Sequence, residues 1–325
     1  MHSANLTRSH ADLVEAAVRE SIAAAMSGVV ASWRRSMVYH GLDPSQRGPA
    51  KRVVEAELRQ ARDKYGALLE IARPSLEHLF RIAGQAGCCV VLTDDTGLIL
   101  DSRSNAGDRQ SFEGWGLTEG AVWSESAEGT NGIGTCLAEK RPVVIHQDQH
   151  FRADNIAMSC MGAPIHDPQG QLIAVLDVSS CRSDMSTSFA QVLGAVVNDS
   201  ARTMENDLFR AAFPRARILV ADGNNGRNGL SLLAVDEDDL VIGATRQARK
   251  FHGLTSEQIE RTLPLSDMLG DMAAGQPGSG AQKTELRRAL SRCHGNISAA
   301  ARYLGISRAT MYRRMQRCGL ASNQA

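Results

Sequence analysis

Twenty residues near the C-terminus, Gly295 to Arg314, leave the backbone few choices. Asn296 stands where a side-chain oxygen can cap a helix, and Ile297, Ala300, Ala301 and Leu304 then share one helical face. The two alanines let another helix come close. Gly305 supplies a tight turn, and Ser307 caps a second helix. In that helix Met311, Met315 and Cys318 fall on one side, and Ala309, Thr310, Arg313, Gln316 and Arg317 on the other. Caps, turn glycine, small contact residues and outward charges all agree on two crossed helices joined by a turn.

Charge agrees with this reading. The whole chain of 325 residues is formally neutral, yet residues 282–320 hold nine Lys/Arg against a single acid, Glu285. This stretch therefore carries eight net positive charges, and the remainder eight negative. A basic module on an acidic body is what a DNA-binding unit requires. Arg308 lies in the first turn of the second helix, where a recognition helix reaches base edges. An arginine there can make two parallel hydrogen bonds to guanine, while other arginines neutralise phosphates and release counterions.

The segment Leu286 to Leu320 resembles the helix-turn-helix of the Fis family, which also ends activators of the sigma-54 enhancer-binding type. The resemblance implies that Ser307 and Arg308 approach bases and that Thr310, Arg313 and Arg314 hold phosphates. Arg317, on the same outward face, completes the expected DNA-binding set. It also implies a homodimer on an inverted-repeat operator in double-stranded DNA, with the helix over Thr284 to Cys293 helping pairing.

Upstream, apolar spacing sets the elements. Val14, Val18, Ile22, Met26, Val29, Val30 and Trp33 predict one helix from Ala11 to Met37, ended by Gly41-Leu42-Asp43-Pro44. A second helix is expected over Ala50 to Ala72, and a third from Pro74, suited to a first turn, to Gly84–Gly87. The period then changes. Cys88 to Thr93, the turn Asp94-Asp95-Thr96-Gly97 and Leu98 to Asp101 read as strand, turn, strand. Gly132 to Lys140 reads as a helix and Pro142 to His146 as a strand. Ala157 to His166 and Leu172 to Val178 form a hairpin around Asp167-Pro168-Gln169-Gly170. Ser188 to Phe213 is one long helix whose stripe Phe189, Val192, Val196, Val197, Met204 and Leu208 packs on its own sheet or on a second subunit.

The fold class is α+β: N-terminal helices, an antiparallel-sheet sensor domain, a small α/β segment and an all-α C-terminus. The expected divisions are a helical region at 1–75, a sensor domain at 76–213, a small segment at 214–269, a linker at 270–281 and the DNA-binding domain at 282–325. Gly275, Pro277, Gly278, Ser279 and Gly280 give the linker its composition.

Trp123-Ser124-Glu125, Glu128-Gly129-Thr130-Asn131-Gly132-Ile133-Gly134-Thr135, Ser32-Trp33-Arg34, Gly41-Leu42-Asp43-Pro44, His150-Phe151 and Leu176-Asp177-Val178-Ser179 resemble the GAF sensor domain of acetoin-catabolism regulators. The likeness covers about Val29 to Arg210, and residues 218–269 resemble a shortened PAS domain. It implies a pocket for a small-molecule effector, with Phe112, Trp115, Trp123, Thr130, Asn131, His150 and Cys160 as candidate lining residues. The aromatic three are equally explained as core.

Such regulators carry an AAA+ ATPase between sensor and helix-turn-helix. None of the five lysines here follows a glycine, so no P-loop is present, and the Gly-Ala-Phe-Thr-Gly-Ala loop that engages sigma-54 is missing. Leu232 to Glu237 mimics a Walker B strand and is read as an ordinary sheet strand ending in a turn. The chain is thus expected to act by occupancy, without ATP hydrolysis, by repressing, by recruiting RNA polymerase or by modulating a full-length relative at shared sites. The alternative is an accessory module that pairs with a full-length sigma-54 activator.

Enzymatic motifs of the Gly-x-Ser-x-Gly, His-Glu-x-x-His and nucleotide-binding types are missing, so no catalytic residue or cofactor is expected. Cys88, Cys89, His146, His150, Cys160, His166 and Cys181 share a domain without metal-ligand spacing, so no metal is expected. No apolar run is long enough to span a membrane, and seven scattered cysteines suit free thiols in a reducing cytoplasm.

Overall fold

A computed structural model describes residues 2–20, 27–221, 230–260, 263–265, 280–318 and 320, in two compact units, 1–208 and 209–325. In the first unit, helices α1 (His2–Arg19) and α2 (Gly28–Arg34) precede α3 (Glu55–Lys64) and α4 (Gly66–Ala83). Then come strands β1 (Cys88–Asp94) and β2 (Ile99–Arg103) and helices α5 (Arg109–Trp115), α6 (Glu125–Glu128) and α7 (Gly132–Glu139). Strands β3 (Val143–His146), β4 (Ser159–His166) and β5 (Leu172–Ser180) lead into α8 (Thr187–Ala212).

The five strands form an antiparallel sheet in the order β2-β1-β5-β4-β3. Both faces are covered, which is why the apolar run of β1 is buried from end to end. Alternate residues serve different cores. Cys88, Val90 and Leu92 meet Leu68, Leu76 and Leu79 of α4 and Leu193, Val197 and Met204 of α8. Cys89 and Val91 face Phe112, Trp123, Ile133 and Cys136 on the opposite side.

One local rule closes both hairpins. Asp94 Oδ1 accepts from the backbone N–H of Thr96 and Leu98, and Asp167 Oδ1 from Gln169 and Gln171. Gly97 and Gly170 follow with φ near +85°, which glycine adopts without a Cβ clash.

Two sequence expectations differ from the structure. Residues 11–37 are not one helix: α1 ends at Arg19, and Ser27 is extended, its hydroxyl accepting from Val30 N at 3.4 Å to cap α2. A serine favours that capping role over a helix interior. A π-helical turn, Arg35–Tyr39, then continues α2. Pro74 does not begin a helix but lies inside α4, and the break falls at Tyr65 instead. Pro74 is exposed, so the carbonyl it deprives of a partner can face water, while Leu68, Ala72, Leu76 and Leu79 hold the helix to the sheet.

In the second unit, β6 (Arg217–Val220), β7 (Leu232–Val235), β8 (Leu240–Ala244) and β9 (Leu263–Pro264) form an antiparallel sheet in sequential order. Helices α9 (Arg246–His252) and α10 (Ser256–Glu260) pack on it through Ala248 and Ile259. Three more helices follow: α11 (Gly280–Arg292), α12 (Ile297–Tyr303) and α13 (Arg308–Arg317). Most of the linker expected at 270–281 lies outside the described residues.

Candidate nucleic-acid interface and sensor face

The C-terminal helices close on a small core. Leu286 and Ala289 of α11, Ala300 and Ala301 of α12, and Met311 and Met315 of α13 are buried together with Cys318. Asn296 Oδ1 accepts from Ala299 N at 3.0 Å, and Ser307 Oγ from Thr310 N at 3.1 Å, so both helices are capped. Gly305 has φ +65°, and a methyl group there would meet nothing within 4 Å. Its role is therefore conformational alone. Gly305→Ala is expected to cost about 1 kcal/mol of domain stability, read as a lower urea midpoint of the isolated residues 280–325 or of the whole chain.

With the methionines buried, Ser307, Arg308, Ala309, Arg313 and Gln316 are exposed, and Thr310 and Arg314 are half-buried. Arg308 lies 5.8 Å from the Tyr312 ring, a cation–π contact that holds its guanidinium near the start of α13. The side chain of Arg317 lies outside the described residues. Other basic residues are committed to structure. Arg292 donates to the Tyr303 hydroxyl and lies over its ring, joining α11 to α12. Arg287 pairs with Asp239 at 2.9 Å.

In the first unit, the ligand-site candidates read from sequence are brought together on one face of the sheet but are largely occupied. Phe112 and Trp123 are buried and Trp115 half-buried in one apolar cluster, and Trp123 Nε1 donates to Gly116 O at 2.9 Å. Thr130 Oγ1 lies 2.7 Å from Ser32 Oγ. Asn131 caps α7, accepting from Gly134 N at 2.8 Å and donating to Gly129 O at 2.8 Å. Thr130 thereby meets α2. Glu125, buried beneath, accepts from Arg35 Nε at 2.8 Å, from Arg35 Nη2 at 3.0 Å and from Ser32 Oγ. Hydrogen bonds to Glu125 raise the Arg35 pKa further, so the guanidinium is held charged. Trp33 Nε1 donates to Gln149 O at 2.9 Å, and its ring packs with Val14 and Phe151. A second buried pair joins Arg152 to Glu128 at 2.6 Å, with Arg152 also donating to Gly48 O.

Deeper in the same face runs a buried polar chain. His150 Nδ1 bonds to Gln147 O at 2.9 Å, which assigns that nitrogen the proton and leaves Nε2 to accept from the Cys160 thiol at 3.3 Å. Burial holds His150 neutral, its pKa lowered to about 4. Burial also pushes the Cys160 thiol well up, with the nearby Ser179 hydroxyl and Gly132 backbone opposing only in part. Ser179 Oγ lies 3.1 Å from Cys160 Sγ and donates to Asp177 Oδ2 at 2.6 Å. Asp177 Oδ1 has no hydrogen-bond partner, and burial raises this carboxyl to about 6. Arg35, Arg152, Asp177 and Ser179 were not among the candidates read from sequence. Asp177 and Ser179 lie within the GAF-like run Leu176 to Ser179, while Arg35 meets Glu125 and Arg152 meets Gly48 across about a hundred residues, separations that leave no mark in a single sequence. Among the described residues, no group of three or more His, Cys, Asp or Glu is placed to hold a metal.

The first unit is thus a sheet covered by helices on both faces, and the second ends in a capped helix-turn-helix. Comparison with known families agrees: residues 67–203 match the GAF domain and residues 281–317 match the bacterial regulatory protein, Fis family. The chain carries a GAF domain and a Fis-type helix-turn-helix. It is similar to the acetoin catabolism regulatory protein of Cupriavidus necator, 34% identical over 67% of this chain and 33% of that one. It is also similar to the propane 2-monooxygenase operon transcriptional activator MimR of Mycolicibacterium smegmatis, 30% identical over 57% of this chain and 31% of that one. The chain thus spans about a third of the length of these curated relatives. The crystal structure of the E. coli DhaR(N)–DhaL complex shares the fold, with TM-score 0.51, 14% identity, and coverage of 70% of this chain and 77% of that one. No described helix is long and apolar enough to cross a membrane.

Proposed function

We propose that this chain binds duplex DNA as a dimer through α13, responds to a small molecule through its GAF domain, and acts without ATP hydrolysis. The observation that carries the DNA-binding reading is the outward set Ser307, Arg308 and Arg313 on a helix whose opposite side is buried. Such a helix fits a major groove, with its first turn at base edges. Dimerisation is supported by Phe189 and Val192, which stand 44% and 62% exposed on one side of α8. A Phe189→Asp, Val192→Asp double variant is expected to sediment as a monomer and to lose most operator affinity.

Occupancy without ATP is supported by the sequence between the two domains. It contains no Gly-Lys pair, and its described residues form a small sheet with two short helices. ATP turnover by the purified chain above a protein-free control would overturn that part.

Fluorescence anisotropy with operator and scrambled duplexes tests the DNA reading. Affinity should fall steeply with salt, because each neutralised phosphate releases counterions. Arg308→Ala is expected to cost about 1–3 kcal/mol on the operator and little on scrambled DNA. Arg313→Ala should weaken both alike and reduce the salt slope by about one. Equal losses on both duplexes for both variants would show the roles misassigned.

A further inference from the structure

The polar chain in the GAF core closes on itself except at one atom. His150, Cys160 and Ser179 each find partners, and Asp177 Oδ2 is satisfied by Ser179. Asp177 Oδ1 is buried, accepts nothing, and no salt bridge reaches it among the described residues. A lone carboxylate oxygen in such a place is costly unless something donates to it. In this state its neighbour is the first residue of α7. A methyl group on Gly132 would lie 2.4 Å from Oδ1, and one on Gly162 would lie 2.3 Å from Gly132 O. The first turn of α7 therefore rests directly on the carboxylate and on β4.

The surroundings restrict what could replace that turn. Val91, Ile133, Cys136 and Val175 form the apolar wall, and the polar groups are thiol, hydroxyl and neutral imidazole. An anion would meet Asp177 and be repelled. An ammonium would need a second counter-charge or water once buried. A ketone has no proton to donate. A hydroxyl donates one hydrogen bond to Oδ1, and its own oxygen can accept one from a neighbouring donor.

We propose that Asp177 is the anchoring acceptor of the effector site in the GAF domain, closed here by the first turn of α7, and that the effector is a small uncharged alcohol. This deepens the proposed small-molecule response and rests on it. A satisfied Asp177 requires the turn at Asn131–Gly132 to lift, and Thr130 in that turn is bonded to Ser32 of α2. Effector binding is thereby coupled to the docking of α2.

The test inverts the polarity of the anchor. In Asp177→Asn the amide oxygen keeps the Ser179 bond, and the amide N–H takes the place of Oδ1. The probes are 2-butanol and 2-butanone, matched in skeleton, titrated into the full chain and followed by saturation-transfer NMR. Wild type is expected to bind the alcohol at least tenfold more tightly than the ketone, and Asp177→Asn to shrink that ratio at least tenfold. An unchanged ratio in the variant would overturn the anchoring role and leave a small-molecule response standing. Preference of wild type for the ketone would overturn the alcohol assignment. Binding of neither compound would overturn the alcohol assignment and leave a response to some other small molecule standing.

Discussion

Replacing Arg152 by Met is expected to lower the unfolding free energy by about 4–5 kcal/mol at pH 7. Arg152 is 7% exposed and Glu128 3% exposed, so the substitution strands a carboxylate in the protein interior. Removing one partner of a buried pair is costly for this reason. The loss has a ceiling, because Glu128 can take up a proton. Even beside Arg152, burial raises its pKa above the ordinary 4.5. Protonating it at pH 7 from that ordinary value costs about 3–4 kcal/mol. The same reasoning sets the sign with pH. Without Arg152 the folded pKa of Glu128 lies well above its unfolded value, so the penalty grows as pH rises and is small near pH 5. The lost bond to Gly48 O adds a pH-independent part of about 1 kcal/mol. Urea denaturation followed by tryptophan fluorescence suits the test, since all three tryptophans, Trp33, Trp115 and Trp123, lie in the first unit. The double variant Glu128→Gln, Arg152→Met should recover most of the loss. A single-variant cost below about 1 kcal/mol at pH 7 would show that the pair holds nothing together.

Much of the C-terminal domain was legible because its signals are local. Caps, turn glycine and helical spacing act within a few residues, and Ala300, Ala301, Met311 and Met315 are buried as their spacing indicates. The strands around Asp94 and Asp167 were legible for the same reason, since each turn is closed by its own aspartate. The order of the sheet was not. Strand β1 pairs with β5 across about eighty residues, and no periodicity in either strand names its partner. The helix break at Ser27 was hidden because the apolar stripe continues through it, and only tertiary packing decides where such a stripe is cut. Pro74 misled in the other direction: its local preference for a first turn yields to the burial of Leu68, Ala72, Leu76 and Leu79 on both sides of it. Thr130 and Asn131 carried the GAF likeness, yet the Thr130 side chain holds Ser32 of α2, about a hundred residues earlier, and the Asn131 side chain caps α7.

The Asp177→Asn variant is expected to be more stable than wild type by about 3 kcal/mol at pH 7.5 and no more stable at pH 4. The carboxyl is raised from 3.8 to about 6 by burial, with the Ser179 bond opposing only in part. A group with a raised folded pKa contributes stability below its unfolded pKa and loses it as pH climbs through the folded one. The roughly two-unit difference is worth about 3 kcal/mol. His150 runs the other way. Its pKa is lowered from 6.5 to about 4, so its contribution is present above pH 6.5 and is lost as pH falls toward 4. In wild type the two slopes oppose each other across this interval, and these two groups together leave stability nearly level. Asp177→Asn removes one slope and exposes the other, so the variant should lose about 3 kcal/mol on acidification from pH 7 to pH 4 relative to wild type. Urea midpoints at half-unit steps of pH read this directly. Parallel curves for the two proteins would mean that Asp177 is ionised and satisfied throughout, and the buried, partnerless oxygen would no longer distinguish this position from any other in the core. A diverging pair would show that the fold carries an avoidable cost at the centre of its sensor face, which is how a site kept for binding rather than for stability behaves.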